Sequence, residues 1–185
     1  MLTRKCIIFI FLLCVLRIEC VEFDVRAAAL FPHAKLFRQI YGTASPSCQI
    51  EASCAIKDCL AAWSNLSYVH ASGKSIPLKN KAKLDIVPLS IGLKFLYHLD
   101  NDWEVYTGAG LCYTWLKETI NCHRSNNTSH IGGVVKLGAS KHYRCLRVSL
   151  FGDYQLQKFV AKHSTYNQKV GAGGFLLGGA LGVTF

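Results

Sequence analysis

Along much of the chain, hydrophobic and polar residues alternate with a period of two. In "CLRVSLFGDYQLQK" (145–158) the even positions hold Leu146, Val148, Leu150, Gly152, Tyr154 and Leu156. The odd positions hold Arg147, Ser149, Asp153, Gln155 and Gln157, with Phe151 as the exception. Successive side chains of an extended strand point to opposite faces, so this pattern predicts a strand with one apolar and one polar face. The same alternation recurs in "FDVRAAALF" (23–31), "DWEVYTGAGLCYTW" (102–115), "HIGGVVKLGAS" (130–140) and the terminal "GGFLLGGALGVTF". It is weaker in 48–56, 60–70 and 84–99, where Pro88 is expected to mark a bulge or the upper end of a strand.

That makes eight strands. The connections alternate between short ones near 57–58, 98–101 and 141–144 and long polar ones near 33–47, 71–82, 118–128 and 158–168. Tight turns at one end and long loops at the other are the signature of an antiparallel up-and-down barrel. No run reaches the 18 or so apolar residues of a membrane helix. The expected fold class is therefore all-β, an eight-stranded antiparallel up-and-down transmembrane β-barrel.

Charge decides which face turns inward. The polar faces carry Asp24, Arg26, Glu51, Lys94, Glu104, Lys136, Arg147 and Asp153, four acids and four bases. Equal numbers can neutralise one another inside a narrow barrel, whose eight strands leave room for packed side chains and little more. These eight are the expected lumen ion network, with Lys94 and Glu104 facing each other across the 98–101 turn. The apolar faces then meet lipid. Trp103 to Tyr113 and Phe175 to Phe185 are each separated by ten residues, a rise of roughly 25 Å for a tilted strand. Trp103 and Phe185 are expected in a periplasmic aromatic girdle, and Tyr113, Trp115 and Phe175 at the outer rim.

Composition adds an exported, basic character. The chain is 51% hydrophobic and 17% charged, with a formal net charge of +10. "MLTRK" followed by the apolar "CIIFIFLLCVL" reads as a secretory signal over residues 1–20, leaving a single barrel domain over 21–185. Losing Arg4, Lys5, Arg17 and Glu19 with it would lower the net charge from +10 to +8. Six cysteines would remain: Cys48, Cys54, Cys59, Cys112, Cys122 and Cys145. An even count in an exported chain makes them candidate disulfides with no pairing specified. Cys112 and Cys145 are expected to project inward, where they could pair, and Cys122 to sit in an outer loop. No recognised zinc spacing surrounds Cys54 and Cys59, so neither metal nor cofactor is expected.

On these features the chain resembles the eight-stranded outer-membrane barrels of the OmpA, OmpX and OmpW type. The resemblance covers residues 21–185 and rests on the leader, the eight segments and the terminal "GALGVTF". It implies an insertion signal read by the barrel-insertion machinery, carried here by Leu177, Leu181, Val183 and Phe185, with Gly179 departing from the pattern. The opening "FDVRAAALFPHAKLFRQIYG" and the cysteine content resemble, more loosely, barrels of chlamydia-like bacteria. That likeness implies disulfide-linked envelope partners.

The functional expectation is an outer-membrane barrel with a largely closed lumen and a structural, envelope-stabilising or adhesive role. Its basic outer loops would meet lipopolysaccharide or acidic host glycans. Nucleic acid is not an expected partner. A small porin or OmpW-like transporter of apolar solutes is the alternative. A lipid A-modifying enzyme ranks below it, because adjacent His163 and Ser164 would point to opposite faces of a strand. A soluble lipocalin-like carrier would need the opposite burial of the two faces.

Overall fold

The computed structural model describes residues 21–74, 81–120, 124–157, 159–160, 169–170 and 173–185. The expected leader (1–20), Cys122, His163 and Ser164 lie outside them. Eight long strands form a closed barrel: β1 (Val21–Pro32), β2 (Ser45–Lys57), β3 (Leu60–Lys74), β4 (Lys81–His98), β5 (Trp103–Ile120), β6 (Arg124–Tyr143), β7 (Leu146–Leu156) and β10 (Gly174–Thr184). Each pairs antiparallel with its neighbours in sequence, and β1 closes on β10 with Phe23 opposite Val183 and Phe31 opposite Phe175. Closure leaves no free strand edge, a requirement for backbone surrounded by hydrocarbon.

The faces separate as an inside-out protein. Leu150 is 72% exposed and Leu181 67%, whereas Asp24, Arg26, Glu104 and Arg147 are all 4% exposed or less. A water-soluble carrier would show the inverse. An apolar perimeter of this kind is stable only against hydrocarbon. Leu150 lies midway along β7, opposite Gly179 and Ala139. Leu150→Arg is therefore expected to cost about 2–4 kcal/mol, the cost of a cation near the bilayer midplane. Urea titration of the refolded barrel in lipid vesicles measures it, and an unchanged midpoint would contradict a lipid-facing Leu150.

Three local features differ from the sequence expectation. Residues 33–47 are not only loop: α1 (Lys35–Tyr41) begins after Ala34 and stops at Gly42, whose φ of 94° favours glycine. The long loop expected over 118–128 is instead largely strand, since β5 runs to Ile120 and β6 starts at Arg124. Its register persists as Lys117 opposite Asn127 and Glu118 opposite Asn126. Polar residues on both faces erased the alternation there, while the backbone ladder simply continued. Pro88 sits inside β4, which extends on to Lys81 without a register shift. The β3–β4 ladder is interrupted where Ser67 and Tyr68 pass Val87 and Pro88. Proline has no N–H to donate. A short ribbon, β8 (Phe159–Val160) with β9 (Lys169–Val170), accompanies the last long connection.

Candidate functional site: a two-part barrel interior

The inner half of the lumen is ionic. Glu51 on β2 lies at its centre, where Arg26 Nη1 donates to Oε2 at 2.5 Å and Lys136 Nζ pairs with the same oxygen. Lys94 Nζ stands 3.9 Å from Oε1. Arg26 also reaches Asp153 Oδ2 at 3.1 Å, with Lys136 at 3.5 Å from it. Nearer the turn end, Arg147 pairs with Asp24, with Glu22 at 2.7 Å and with Glu104 at 3.6 Å. All eight residues expected in the lumen are thus buried and face one another. In so low a dielectric each charge must be both paired and hydrogen-bonded.

The pairing corrects one expectation. Lys94 does not face Glu104; it lies opposite Gly108, and His98 lies opposite Glu104. The centre of the hairpin is Asn101, not the middle of residues 98–101, so the two side chains sit four residues apart on the same face. With no side chain at Gly108 in its way, Lys94 Nζ instead reaches Glu22 at 3.2 Å and Ser53 Oγ at 2.8 Å.

Several members of this interior were not anticipated. Glu22 brings a fifth carboxylate. Asn65 Nδ2 donates to Gln49 Oε1 at 3.0 Å and Glu51 Oε2 at 3.3 Å. Phe151, the one residue that broke the alternation of β7, lies inside with the Arg26 guanidinium 3.5 Å above its ring. Lys136 Nζ stands 4.1 Å from the Trp63 ring. Aromatic faces add to the carboxylates in stabilising these desolvated cations. Gly92 and Gly110 leave space for Trp63: a Cβ on either would fall 2.8 Å from its ring. The misplaced aromatic on a strand's polar face was the one sequence signal for this arrangement.

The outer half is apolar and plugged. Leu30, Val69, Ala71, Ala82, Leu84, Ile86 and Leu176 line it, and α1 folds back to place Phe37 and Tyr41 among them. The helix reads KLFRQIY, so Phe37 and Tyr41 lie one turn apart on one face, their ring centroids 5.0 Å from each other. Tyr41 Oη donates to Glu118 Oε1 at 2.7 Å. Burial, followed by that carboxylate, pushes its phenol above the ordinary value. Between the halves, Gln157 Nε2 donates to Thr114 Oγ1 at 2.5 Å and contacts Cys112 Sγ at 3.1 Å.

The outward residues fall at two levels. Trp103 and Phe185 are exposed at the turn end, with Lys141 Nζ 5.4 Å from the Trp103 ring. Tyr113, Trp115 and Phe175 are exposed at the loop end, where Tyr113 and Trp115 stack edge to face at 4.7 Å. Leu177 and Leu181 face outward in line with Phe185, whereas Val183 is only partly exposed. Farther toward the loops, Tyr68 Oη donates to Asp85 Oδ1 at 2.7 Å, and His70 Nδ1 lies 2.7 Å from the same oxygen.

Among the described residues the cysteines are free, and the pairing considered between Cys112 and Cys145 is not formed. Cys112 is buried midway along the lumen, but Cys145 is exposed in the β6–β7 turn at the turn end of the barrel. That turn bends at Arg144 (φ 56°), and Cys145 accepts a bond from Thr184 N–H through its carbonyl. Cys48, Cys54 and Cys59 are also free thiols.

A closed eight-stranded antiparallel barrel with a charged interior, aromatic rims and an apolar perimeter defines an integral membrane protein of the outer-membrane type. The chain has the OmpA/OmpW-like barrel fold. Outer-membrane protein OprG of Pseudomonas aeruginosa matches it with a TM-score of 0.69 at 13% identity, covering 89% of this chain and 95% of that one. Neisserial surface protein A matches at 0.58 and 17% identity, covering 90% and 96%. Ail, the attachment invasion locus protein of Yersinia pestis, solved with the heparin analogue sucrose octasulfate, matches at 0.55 and 10% identity, covering 88% and 97%. No protein-family model and no curated protein matches the chain. The perimeter and this fold together put the protein in an outer membrane.

Proposed function

We propose that the protein is a closed outer-membrane barrel, exported by the leader at residues 1–20, whose work is done at its outer end. That work is adhesive or envelope-stabilising contact with anionic glycan, either lipopolysaccharide or sulfated host chains. The observation that carries the reading is the filled interior, ionic below and plugged by α1 above, which leaves the outer surface as the place for function. Lys35, Arg38, Lys74, Lys81, Lys83 and Lys117 are exposed toward that end. The nearby carboxylates Asp85 and Glu118 are already engaged by His70, Tyr68 and Tyr41. A clustered positive field of this kind attracts polyanions in a salt-dependent way. The sulfated ligand on the structurally similar Ail suits the same chemistry. In this reading the barrel performs no catalytic step, and inner-leaflet and outer-leaflet lipid are its nearest partners.

The refolded barrel is expected to be retained on immobilised heparin at low salt and released as salt rises. Lys35→Glu with Arg38→Glu is expected to shift release to lower salt. No retention, or retention unaffected by the double substitution, would count against the proposal. A second reading, lateral passage of small apolar solutes, draws on the ladder interruption at Pro88, which adjoins the apolar outer half of the lumen. Uptake of an apolar tracer by barrel-containing vesicles, without heparin retention, would favour it instead.

A further inference from the structure

Few acids of this chain serve its outer end. Of the eleven acidic residues, Glu19 belongs to the expected leader, and Glu22, Asp24, Glu51, Glu104 and Asp153 are buried in the lumen. Asp58, Asp100 and Asp102 lie in the turns at the opposite end. That leaves Asp85 and Glu118 near the loops. Glu118 accepts from Tyr41 Oη at the plug. Asp85 is held by Tyr68 and His70 and faces Lys117 across the β4–β5 ladder. Lysines higher on the outside of the wall have no further carboxylate in their own chain to pair with.

Three such lysines stand together. Lys74 ends β3 and lies directly opposite Lys81, which begins β4. Lys83 follows on the same outward face, and all three are exposed. Directly opposite side chains start about 5 Å apart, and like charges so placed destabilise a sheet. Lys83 is flanked in its row by Ser72 on β3 and Thr119 on β5, two hydroxyls able to donate to an anion. The cluster faces sideways, on the same wall that turns Leu66, Leu89 and Ile91 to lipid. Lys83 stands one turn of the pleat above Asp85 and two above Val87, which pairs with Trp115 of the outer aromatic rim. That stretch of a strand tilted about 40° rises roughly 10 Å, so lysine side chains reaching down toward the rim enter the headgroup layer.

We propose that Lys74, Lys81 and Lys83, with Ser72 and Thr119 beside them, bind the phosphate groups of one acylated glycolipid of the outer leaflet, laid side-on against β3, β4 and β5. The proposal rests on the glycan-contact reading above and narrows it to a membrane-anchored, phosphorylated partner. A multivalent anion is what a cluster of like charges without acids lacks, and several phosphates on one headgroup meet several ammonium groups at once. The orientation selects the source. A soluble polyanion meets the barrel from the rim, where Lys35 and Arg38 of α1 are exposed. A wall-facing cluster continuous with the lipid-facing surface meets the lipids packed around it. Binding neutralises the repulsion between the facing ends of β3 and β4, so the glycolipid stabilises the folded barrel by mass action.

Bisphosphorylated lipid A, added to the full refolded barrel in zwitterionic detergent, is expected to be retained one-to-one in native mass spectrometry. It should also raise the temperature at which the barrel loses its compact electrophoretic form. Dephosphorylated lipid A and inorganic phosphate at the same concentration should do neither. Lys74→Gln, Lys81→Gln and Lys83→Gln combined should weaken retention on the order of 100-fold, about fivefold for each lysine. Without glycolipid the same triple variant should melt no lower than wild type, because the repulsion has gone; three merely structural lysines would give the opposite sign. A lower melting temperature of the lipid-free variant, retention undiminished in it, or equal binding of dephosphorylated lipid A or of inorganic phosphate overturns the proposal. A barrel retained on heparin that ignores lipid A would sink this site and leave the broader reading standing; one that binds neither would sink both.

Discussion

Glu51→Leu is expected to be the most damaging single substitution in the inner lumen. It removes the acceptor shared by Arg26, Lys136 and Lys94 and leaves three cations beside an apolar side chain. Breaking one buried ion pair costs about 3–5 kcal/mol, because the abandoned charge keeps its desolvation penalty. Asp153 can still hold Arg26 at 3.1 Å and Lys136 at 3.5 Å, which limits the loss rather than cancelling it. Urea titration of the folded fraction, read by heat-modifiable electrophoresis, measures the effect. Glu51→Gln retains an acceptor for Asn65 but not the charge, so it should lie between wild type and Glu51→Leu. Adding Lys136→Met to Glu51→Leu should recover part of the stability, since one stranded cation goes with it. A Glu51→Leu barrel as stable as wild type would mean that the ionic interior contributes nothing to holding the strands together.

The second large effect is expected at the outer plug. Phe37 is 1% exposed among Leu30, Val69, Leu84 and Leu176. Phe37→Ala should cost about 3–5 kcal/mol through lost burial and the cavity left behind. Its effect on conductance should be small. The ion network lies in series below the plug and still fills the inner half, so planar bilayers should show little or no current with either wild type or Phe37→Ala. Conductance is expected only when the plug and Glu51 are both altered. A steady, large single-channel current through the intact protein would contradict the closed-lumen reading and turn attention to transport.

Much of this architecture could be read along the chain because a barrel wall records its environment one residue at a time. Leu146, Val148 and Leu150 alternate with Arg147 and Ser149 because lipid lies on one side of the sheet and the lumen on the other. Beyond Trp115 the outer face turns polar while Leu116 meets the apolar plug inside, so the lipid-facing alternation is lost although the strand is not. Short-range patterning also misses α1, whose seven residues have no side-chain N-cap and gain their stability from the chamber they fill.

The sequence by itself determined the number of barrel strands, their order, and the assignment of charged faces to the interior, since each follows from a period of two and from the cost of placing ions in hydrocarbon. Only the tertiary structure decided which charge meets which. Register and lumen-crossing reach give Lys94 to Glu22, Ser53 and Glu51, and seat Phe151 under Arg26. Those partners lie on different strands, up to 127 residues apart for Arg26 and Asp153. No local pattern encodes such a distance, because it exists only once the sheet has closed.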